Sequence, residues 1–446
     1  MGKYFGTDGF RGEANEKLTV EHAFKIGRYL GYYYGREHKC RVVIGKDTRR
    51  SSYMFEYALA AGLTSSGADA YLLHVTTTPS VAYVTRTEDF DCGIMISASH
   101  NPYYDNGIKL LNRYGEKMGD AILDDIEAYL DGNLPEIPLK KGCDIGRTVD
   151  WAEGRNRYTG YIISLARNSY KGLRVGLDSA NGSTWMLAKN IFDTLGAKTF
   201  VLGDRPDGFN INECCGSTHP EALQKLVRDE GLDIGFAFDG DADRCLAVDN
   251  EGNLLSGDHI MYFCGKYLKR RDALSKNTVV TTVMSNMGLY KALEGEGIGH
   301  IATDVGDKNV YDAMQKGGYS LGGEESGHII FSKYASTGDG LITAIKIMDI
   351  LIESKLPSSR LADGLSVFPQ ITKNVRVADK DKVMNDPEIL AASAAAEQEL
   401  SGRGRLLLRK SGTEPVIRVM CEAENPELCR RTAEALAKMI ENKYKA

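Results

Sequence analysis

Ser99 stands where an apolar run gives way to small and polar residues: positions 94–110 read IMISASHNPYYDNGIKL. Residues 93–96 predict a buried strand that Ser97, Ala98, Ser99, His100 and Asn101 bring to an end before Pro102. In α/β proteins such an exit can present a reactive side chain to a cleft. A serine hydroxyl is a poor nucleophile unless a base or a strong local field activates it. His100 is a candidate base, although adjacent residues usually point apart, and a capping serine at a strand-to-turn junction is the competing reading. Asn106-Gly107 makes a second turn, and Lys109 follows it as a mobile cation.

Three further stretches carry chemistry. Asp239, Asp241 and Asp243 alternate with Gly240 and Ala242 behind an apolar strand. On extended backbone their carboxylates would project the same way and repel strongly unless a divalent cation joined them. Oxygen ligands favour Mg²⁺, Mn²⁺ or Ca²⁺, but the calcium EF-hand pattern fails, because Arg244 and Asn250 stand where its glycine and glutamate belong. GGEESGH places Glu324, Ser326 and His328 on alternate positions of an expected extended loop, a strip suited to sugar hydroxyls. RKSGTEPVIR gathers Arg409, Lys410, Ser411, Gly412, Thr413 and Arg418 about a turn, as a phosphate cradle would. With neither a Walker A pattern nor GxGxxG after a strand, that phosphate belongs to a small substrate rather than to ATP or a dinucleotide. Near the start, YFGTDGFRG holds Arg11 in a glycine-rich loop fit to meet an anion.

The elements that must position these residues alternate strand and helix. Thr19 caps a helix carrying Ala23, Ile26, Gly27 and Leu30 on one face; a strand over 41–45 leads to a helix starting at Ser51 or Ser52. Strands over 174–177, 199–202 and 234–238 follow, with a hairpin turn at 249–252. A third set has strands at 278–283 and near 301, a loop over 303–309, and a helix over 338–353. IGKD, VGLD and GFAFD each end a strand in Asp, a hint of repeated α/β units. Residues 354–366 read as a linker, and the tail, with Asp386-Pro387 and Asn425-Pro426 opening helices, as a small α+β domain. The expectation is three successive α/β domains with mixed sheets (1–150, 151–250, 251–362) plus a smaller C-terminal α+β domain (363–446), around a central cleft.

At 446 residues, the chain is long enough for about three or four cores. Its 55 basic and 61 acidic residues give a net charge of −6 without a basic block, which argues against a nucleic-acid partner. No apolar run reaches membrane-span length and no signal-peptide core is present, so no membrane partner is expected. Nine scattered cysteines with no CxxC pair read as reduced thiols of a cytoplasmic protein.

In their order and separation, these stretches resemble the α-D-phosphohexomutase family over essentially the whole chain. KYFGTDGFRGEAN, SASHNP and GHIIF…TGDG are closest to its bacterial amino-sugar branch. The resemblance implies an isomerase that interconverts glucosamine 6-phosphate and glucosamine 1-phosphate, feeding UDP-N-acetylglucosamine and cell-wall synthesis. It implies phosphorylation on Ser99, one Mg²⁺ held by Asp239, Asp241, Asp243 and the phosphoserine, and a hexose 1,6-bisphosphate as intermediate and activator. Arg11, His100 and Lys109 then lie near the transferring phosphate. Arg244, Asp307, Lys308, Glu324, Ser326 and His328 bind substrate, and Arg409, Ser411, Gly412, Thr413 and Arg418 bind its phosphate. Such a protein is a cytoplasmic monomer or homodimer. The alternatives are a phosphoglucomutase/phosphomannomutase with the same machinery, a Mg²⁺-dependent sugar phosphatase, or a non-catalytic sugar-phosphate binder. Two positions depart from the branch: Glu325 stands where Gln or Met is expected, and Lys308 where Arg is common. A carboxylate at 325, near a 2-ammonium group, would favour an amino sugar.

Overall fold

Three times along the chain, parallel strands joined by helices end in an antiparallel hairpin. In the computed structural model, which describes residues 2–411 and 415–444, the first sheet has seven strands. Their order is Phe5–Gly6, Gly9–Glu13, Asp105–Asn112, Cys92–Ile96, Arg41–Lys46, Asp69–Val75 and Thr148–Asp150. The last four run parallel, and Cys92–Ile96 turns back antiparallel into Asp105–Asn112. The second sheet repeats the plan: Lys198–Leu202, Arg174–Asp178 and Ile234–Phe238 are parallel, and Ile234–Phe238 turns back into Cys245–Asp249. In the third, Gly299–Thr303, Thr278–Thr282 and Leu321–Gly323 are parallel, and Leu321–Gly323 turns back into Ile329–Phe331. Each hairpin turn carries one of the sequence motifs, residues 97–104, 239–244 and 324–328.

Why these strands are buried follows from their side-chain alternation. Val42, Ile44, Ile94 and Ile96 pack with the helices on one face of the first sheet, and Val43 and Met95 with Val81 and Val84 on the other. A sheet covered on both faces needs apolar residues at consecutive positions. Burying each contributes about 1.5–3 kcal/mol. Thr19 caps the helix Val20–Tyr34 as expected, accepting from His22 N–H while His22 reciprocates. That helix lies so close to Arg50–Ser65 that a Cβ on Gly62 would stand 2.1 Å from Phe24 O. The second helix starts at Arg50 without a side-chain cap; Ser52, expected to start it, instead donates to Asp47 Oδ1 at 2.7 Å. The loop expected over 303–309 is cut short, because the helix Asp307–Gly317 begins inside it, directly after Gly306.

The chain divides into two units, one of residues up to 284 with 298–363, the other of residues 285–297 with 364–446. The second unit holds a sheet of Gln370–Arg376, Val416–Ala423 and Gly404–Lys410, antiparallel throughout. Asp386 and Pro387 open the helix Pro387–Leu400, and Pro426–Tyr444 closes the chain. Among the described residues, no helix is long and apolar enough to cross a membrane.

Candidate active site

Ser99 is buried, with 1% of its surface exposed, and its backbone is left-handed (φ 52°). A serine pays strain for that conformation, so its surroundings must hold it. Arg49, itself fully buried, donates to Ser99 O (2.9 Å), Asn101 O (2.8 Å) and Asp105 O (3.1 Å). Asn212 Nδ2 adds bonds to Ser99 O (2.8 Å) and Asn101 O (3.1 Å). Asp47 completes the frame, accepting from Arg49 Nε and Ser97 Oγ at 2.7 Å each. The unusual backbone swings Ser99 toward its neighbour, so Ser99 Oγ lies 3.4 Å from His100 Nδ1. The sequence reading that adjacent side chains point apart does not hold here. Burial, with Arg244 and Arg11 nearby, holds the His100 imidazole down at about 4, so the ring is neutral at ordinary pH.

From that position Ser99 Oγ donates to Asp239 Oδ2. Carboxylate oxygens of Asp239, Asp241 and Asp243 all lie within 4.8 Å of one another, and the three side chains are buried. The convergence expected from the sequence is present, but its geometry is different. Residues 239–244 form a turn, with Ala242 left-handed (φ 58°) and its N–H bonded to Asp239 O at 3.1 Å, not an extended strip. Gly240 is required by close approach, since a Cβ there would stand 2.5 Å from Ser99 O. Thr78, at the start of a helix of the first sheet's layer, grips Asp241 through its hydroxyl and through its N–H to Asp241 O at 3.0 Å. Burial, with Asp243 and Asp241 close by, pushes the Asp239 carboxyl up to about 8. The donor set fits Mg²⁺: it is all oxygen, and Asp241 Oδ1 and Asp243 Oδ1 are buried without a hydrogen-bond partner among the described residues.

Cations ring this cluster. Lys109 Nζ lies 2.7 Å from Asp241 Oδ2, 3.2 Å from Asp243 Oδ2 and 3.8 Å from Asp8 Oδ1. Burial opposes its charge, but these carboxylates outweigh it and raise its pKa. Arg11 pairs with Asp8, and the Arg244 N–H donates to Asp239 Oδ1 at 3.2 Å. Arg11 Nε and Arg244 Nε are buried donors with no acceptor among the described residues, an arrangement that suits the oxygens of a phosphoryl group.

Glu324, Ser326 and His328 occupy a tight hairpin turn, not the extended loop the sequence suggested. Glu324 N–H donates to His328 O (3.0 Å), Gly327 N–H to Glu324 O (3.0 Å), and Gly327 takes φ 91°. Glu324 Oε1 accepts from Gly306 N–H at 3.1 Å and Glu324 Oε2 from Ser326 Oγ at 3.5 Å. His328 is buried, 3.9 Å from Asp243 Oδ2 and 3.8 Å from Asp307 Oδ2. Burial disfavours its charge and the carboxylates raise its pKa to about 9, yet Gly338 N–H donates to Nε2 at 2.9 Å and needs a lone pair there. That direct bond is shorter than either carboxylate contact, and it holds the neutral Nδ1–H tautomer. Lys308 pairs with Asp120 at 2.8 Å, and Glu325 is exposed.

In the second unit, Arg409 and Arg418 are directly opposite on neighbouring antiparallel strands. Burial and the charge of Arg418 lower the Arg409 pKa. Ser411 is buried, its N–H bonded to Val416 O at 3.0 Å, whereas Lys410 is engaged with Asp381. Gly412 and Thr413, the rest of the expected cradle, lie outside the described residues.

Four regions of the chain match the phosphoglucomutase/phosphomannomutase family: its alpha/beta/alpha domain I over residues 2–135, domain II over 156–252, domain III over 256–368 and its C-terminal domain over 373–439. The chain belongs to the phosphoglucomutase/phosphomannomutase family. A relative from Lachnospira eligens named phosphoglucosamine mutase is 62% identical over 99% of both chains. Among solved structures, a family protein from Burkholderia thailandensis superposes with a TM-score of 0.80 at 24% identity, covering 99% of this chain and 98% of that one. An Aspergillus fumigatus N-acetylphosphoglucosamine mutase, solved with GlcNAc-6P and magnesium, gives 0.71 at 17% identity, covering 99% and 96%.

The family's serine and metal motifs are thus joined in this chain by residues that the sequence reading passed over. Asp8 was legible only as one acid in a glycine-rich loop, and Arg49 only as a residue between a strand and the helix after it. Thr78 and Asn212 lie far in sequence from what they touch, and carry no local signal.

Proposed function

We propose that this family member interconverts glucosamine 6-phosphate and glucosamine 1-phosphate through a phosphoserine at position 99 and a 1,6-bisphosphate intermediate. The reaction class rests on one observation: a strained, buried serine hydroxyl donates into a cluster of three aspartates that retains unpartnered carboxylate oxygens. The choice of hexose rests on likeness to relatives that carry the phosphoglucosamine mutase name.

Asp239, Asp241 and Asp243 would hold one Mg²⁺, which supplies charge neutralisation to the transferring phosphoryl group. The chain's own part is positioning. Arg49 and Asn212 fix the loop that bears Ser99, so Oγ keeps its place as phosphoryl donor and acceptor in turn. Arg11 and Arg244 turn their free Nε donors to phosphoryl oxygens, and Lys109, kept charged by the aspartates around it, adds a third cation. His100, neutral, serves as a hydrogen-bond acceptor beside Ser99. Glu324 and Ser326 orient sugar hydroxyls, with Asp307, Lys308 and His328 behind them. Arg409, Ser411 and Arg418, together with Gly412 and Thr413, take the phosphate that is not being transferred. Ser99 first gives its phosphoryl group to O1 of the 6-phosphate: the O1–P bond forms as the Oγ–P bond breaks, and the O1 proton passes to a basic group of the site, which returns a proton to O6 in the second transfer. The bisphosphate turns end for end, and Ser99 Oγ takes the phosphoryl group from O6, releasing the 1-phosphate. We further propose that the divisions 1–150, 151–250, 251–362 and 363–446 each deliver one motif, and that the enzyme works in the cytoplasm as a monomer or homodimer.

The test is a side-by-side turnover assay on glucosamine 6-phosphate, glucose 1-phosphate and mannose 1-phosphate with Mg²⁺ and a trace of hexose 1,6-bisphosphate. A kcat/KM preference for the amino sugar that disappears in Ser99→Ala is the expected result. Preference for glucose or mannose phosphate would overturn the substrate, and release of free phosphate in place of isomer would make the enzyme a phosphatase.

A further inference from the structure

Lys117 has three ammonium N–H donors and three acceptors: Thr7 O at 2.8 Å, Asp8 Oδ1 at 3.2 Å and Asp307 Oδ1 at 2.6 Å. Thr7 and Asp8 form the turn before the strand Gly9–Glu13, which bears Arg11; Asp307 opens the helix Asp307–Gly317. On one side, Asp8 pairs with Arg11 and stands 3.8 Å from Lys109 Nζ. On the other, Asp307 Oδ2 stands 3.8 Å from His328 Nε2, and its neighbour Gly306 donates to Glu324 Oε1 at 3.1 Å. One side chain therefore joins the groups that meet the moving phosphoryl group to those that meet the sugar.

We propose that Lys117 is a positioning residue that sets the spacing between the phosphoryl-transfer centre and the sugar-recognition hairpin. The inference rests on the mutase reading above. Simple attachment of these two segments does not require Lys117. Tyr311 OH bonds Glu116 Oε1 at 2.8 Å, and Ser336 Oγ bonds Gly115 O at 2.8 Å. Among the described residues, Lys117 is the side chain that reaches both Asp8 and Asp307, the two acids in contact with groups the reaction uses. Both acids keep it charged against the cost of burial. A mutase has to place first one end and then the other end of a hexose against the same serine, and a misplacement of about 1 Å can cost about 100-fold in rate.

Lys117→Met retains the apolar stem and removes the ammonium. Lys117→Arg restores a cation, with a neighbouring cavity of about 530 Å³, which Lys117 lines, to accept its larger head. Tyr311→Phe is the control for attachment alone. With glucosamine 1-phosphate, Mg²⁺ and a trace of bisphosphate, Lys117→Met should lower kcat about 10- to 100-fold and change KM less than about threefold. Lys117→Arg should recover most of that loss, Tyr311→Phe should stay within about twofold of the wild type, and melting temperatures should be alike. The proposal is overturned if Lys117→Met keeps wild-type kcat, if Lys117→Arg is no better than Met, or if activity simply follows the folded fraction. Should Lys117→Met not fold, Lys117→Gln is read by the same criteria. A wild-type enzyme that does not isomerise the sugar phosphate removes the mutase reading and this inference together; an active wild type leaves only the inference at stake.

Discussion

Around Ser99 the chain buries three carboxylates against one another, whereas on the sheet of the second unit it sets Arg409 directly opposite Arg418. Both arrangements are electrostatically unfavourable by themselves, and with opposite sign. Crowding and burial push the Asp239 carboxyl up to about 8, while burial and a facing guanidinium lower the pKa of Arg409. Like charges directly opposite on neighbouring strands destabilise a sheet, and carboxylates crowded together in a buried site cost more. The charge of the first region favours a cation and that of the second an anion. In the reading proposed above, a divalent metal answers the first and a substrate phosphate the second, and the two regions should respond to mutation in different kinetic parameters.

The largest effect is expected where the carboxylates converge. Asp241→Asn removes the carboxylate that Thr78 touches, one of the three around Lys109, and an oxygen of the proposed metal site. We expect kcat to fall about 1000-fold, and a chelator to abolish wild-type turnover, with recovery on adding Mg²⁺. Turnover that persists in chelator would break the comparison at its first half, because the carboxylate cluster would then need no ion. A smaller, different effect is expected from Arg418→Met. Losing one charge-assisted hydrogen-bonding partner is worth about 1.5–3 kcal/mol, so KM should rise about 10- to 100-fold with kcat little changed. Equal falls in kcat and kcat/KM would instead place Arg418 among groups that act only in the transition state.

The acids and arginines of both regions were legible because their residue types, spacing and flanking strands all point to charge held close to backbone. Their geometry was not. The aspartates converge through a turn at Ala242, and the hydroxyl-recognising strip is a hairpin closed at Gly327; both depend on left-handed backbone that alternation along an extended chain does not reveal. The same holds for Ser99 and His100, which face each other only because φ at Ser99 is 52°. Arg49 was missed for another reason. Its acceptors, the carbonyls of Ser99, Asn101 and Asp105, lie about fifty residues away in sequence and are backbone atoms, so no side-chain pattern marks them. The fold was more readable than the site because central strands such as Cys92–Ile96 and Ile234–Phe238 are buried at every position and show as short apolar runs.

The smallest expected effect concerns Glu325, whose carboxylate the sequence reading set beside the 2-ammonium of an amino sugar. It lies at the exposed tip of the hairpin, with its carbonyl bound by Gly257 N–H at 2.8 Å and Glu324 and Ser326 on either side. An ion pair at so exposed a position is worth about 0.2–1 kcal/mol. Glu325→Gln should therefore lower kcat/KM for glucosamine 1-phosphate by at most about fivefold, leave glucose 1-phosphate unchanged, and lose its effect in high salt. Equal changes for the two sugars would mean that the carboxylate faces solvent in the working enzyme. Discrimination between the hexoses would then belong to the half-buried contacts of Glu324 and Ser326, where the dielectric is lower than at the exposed tip.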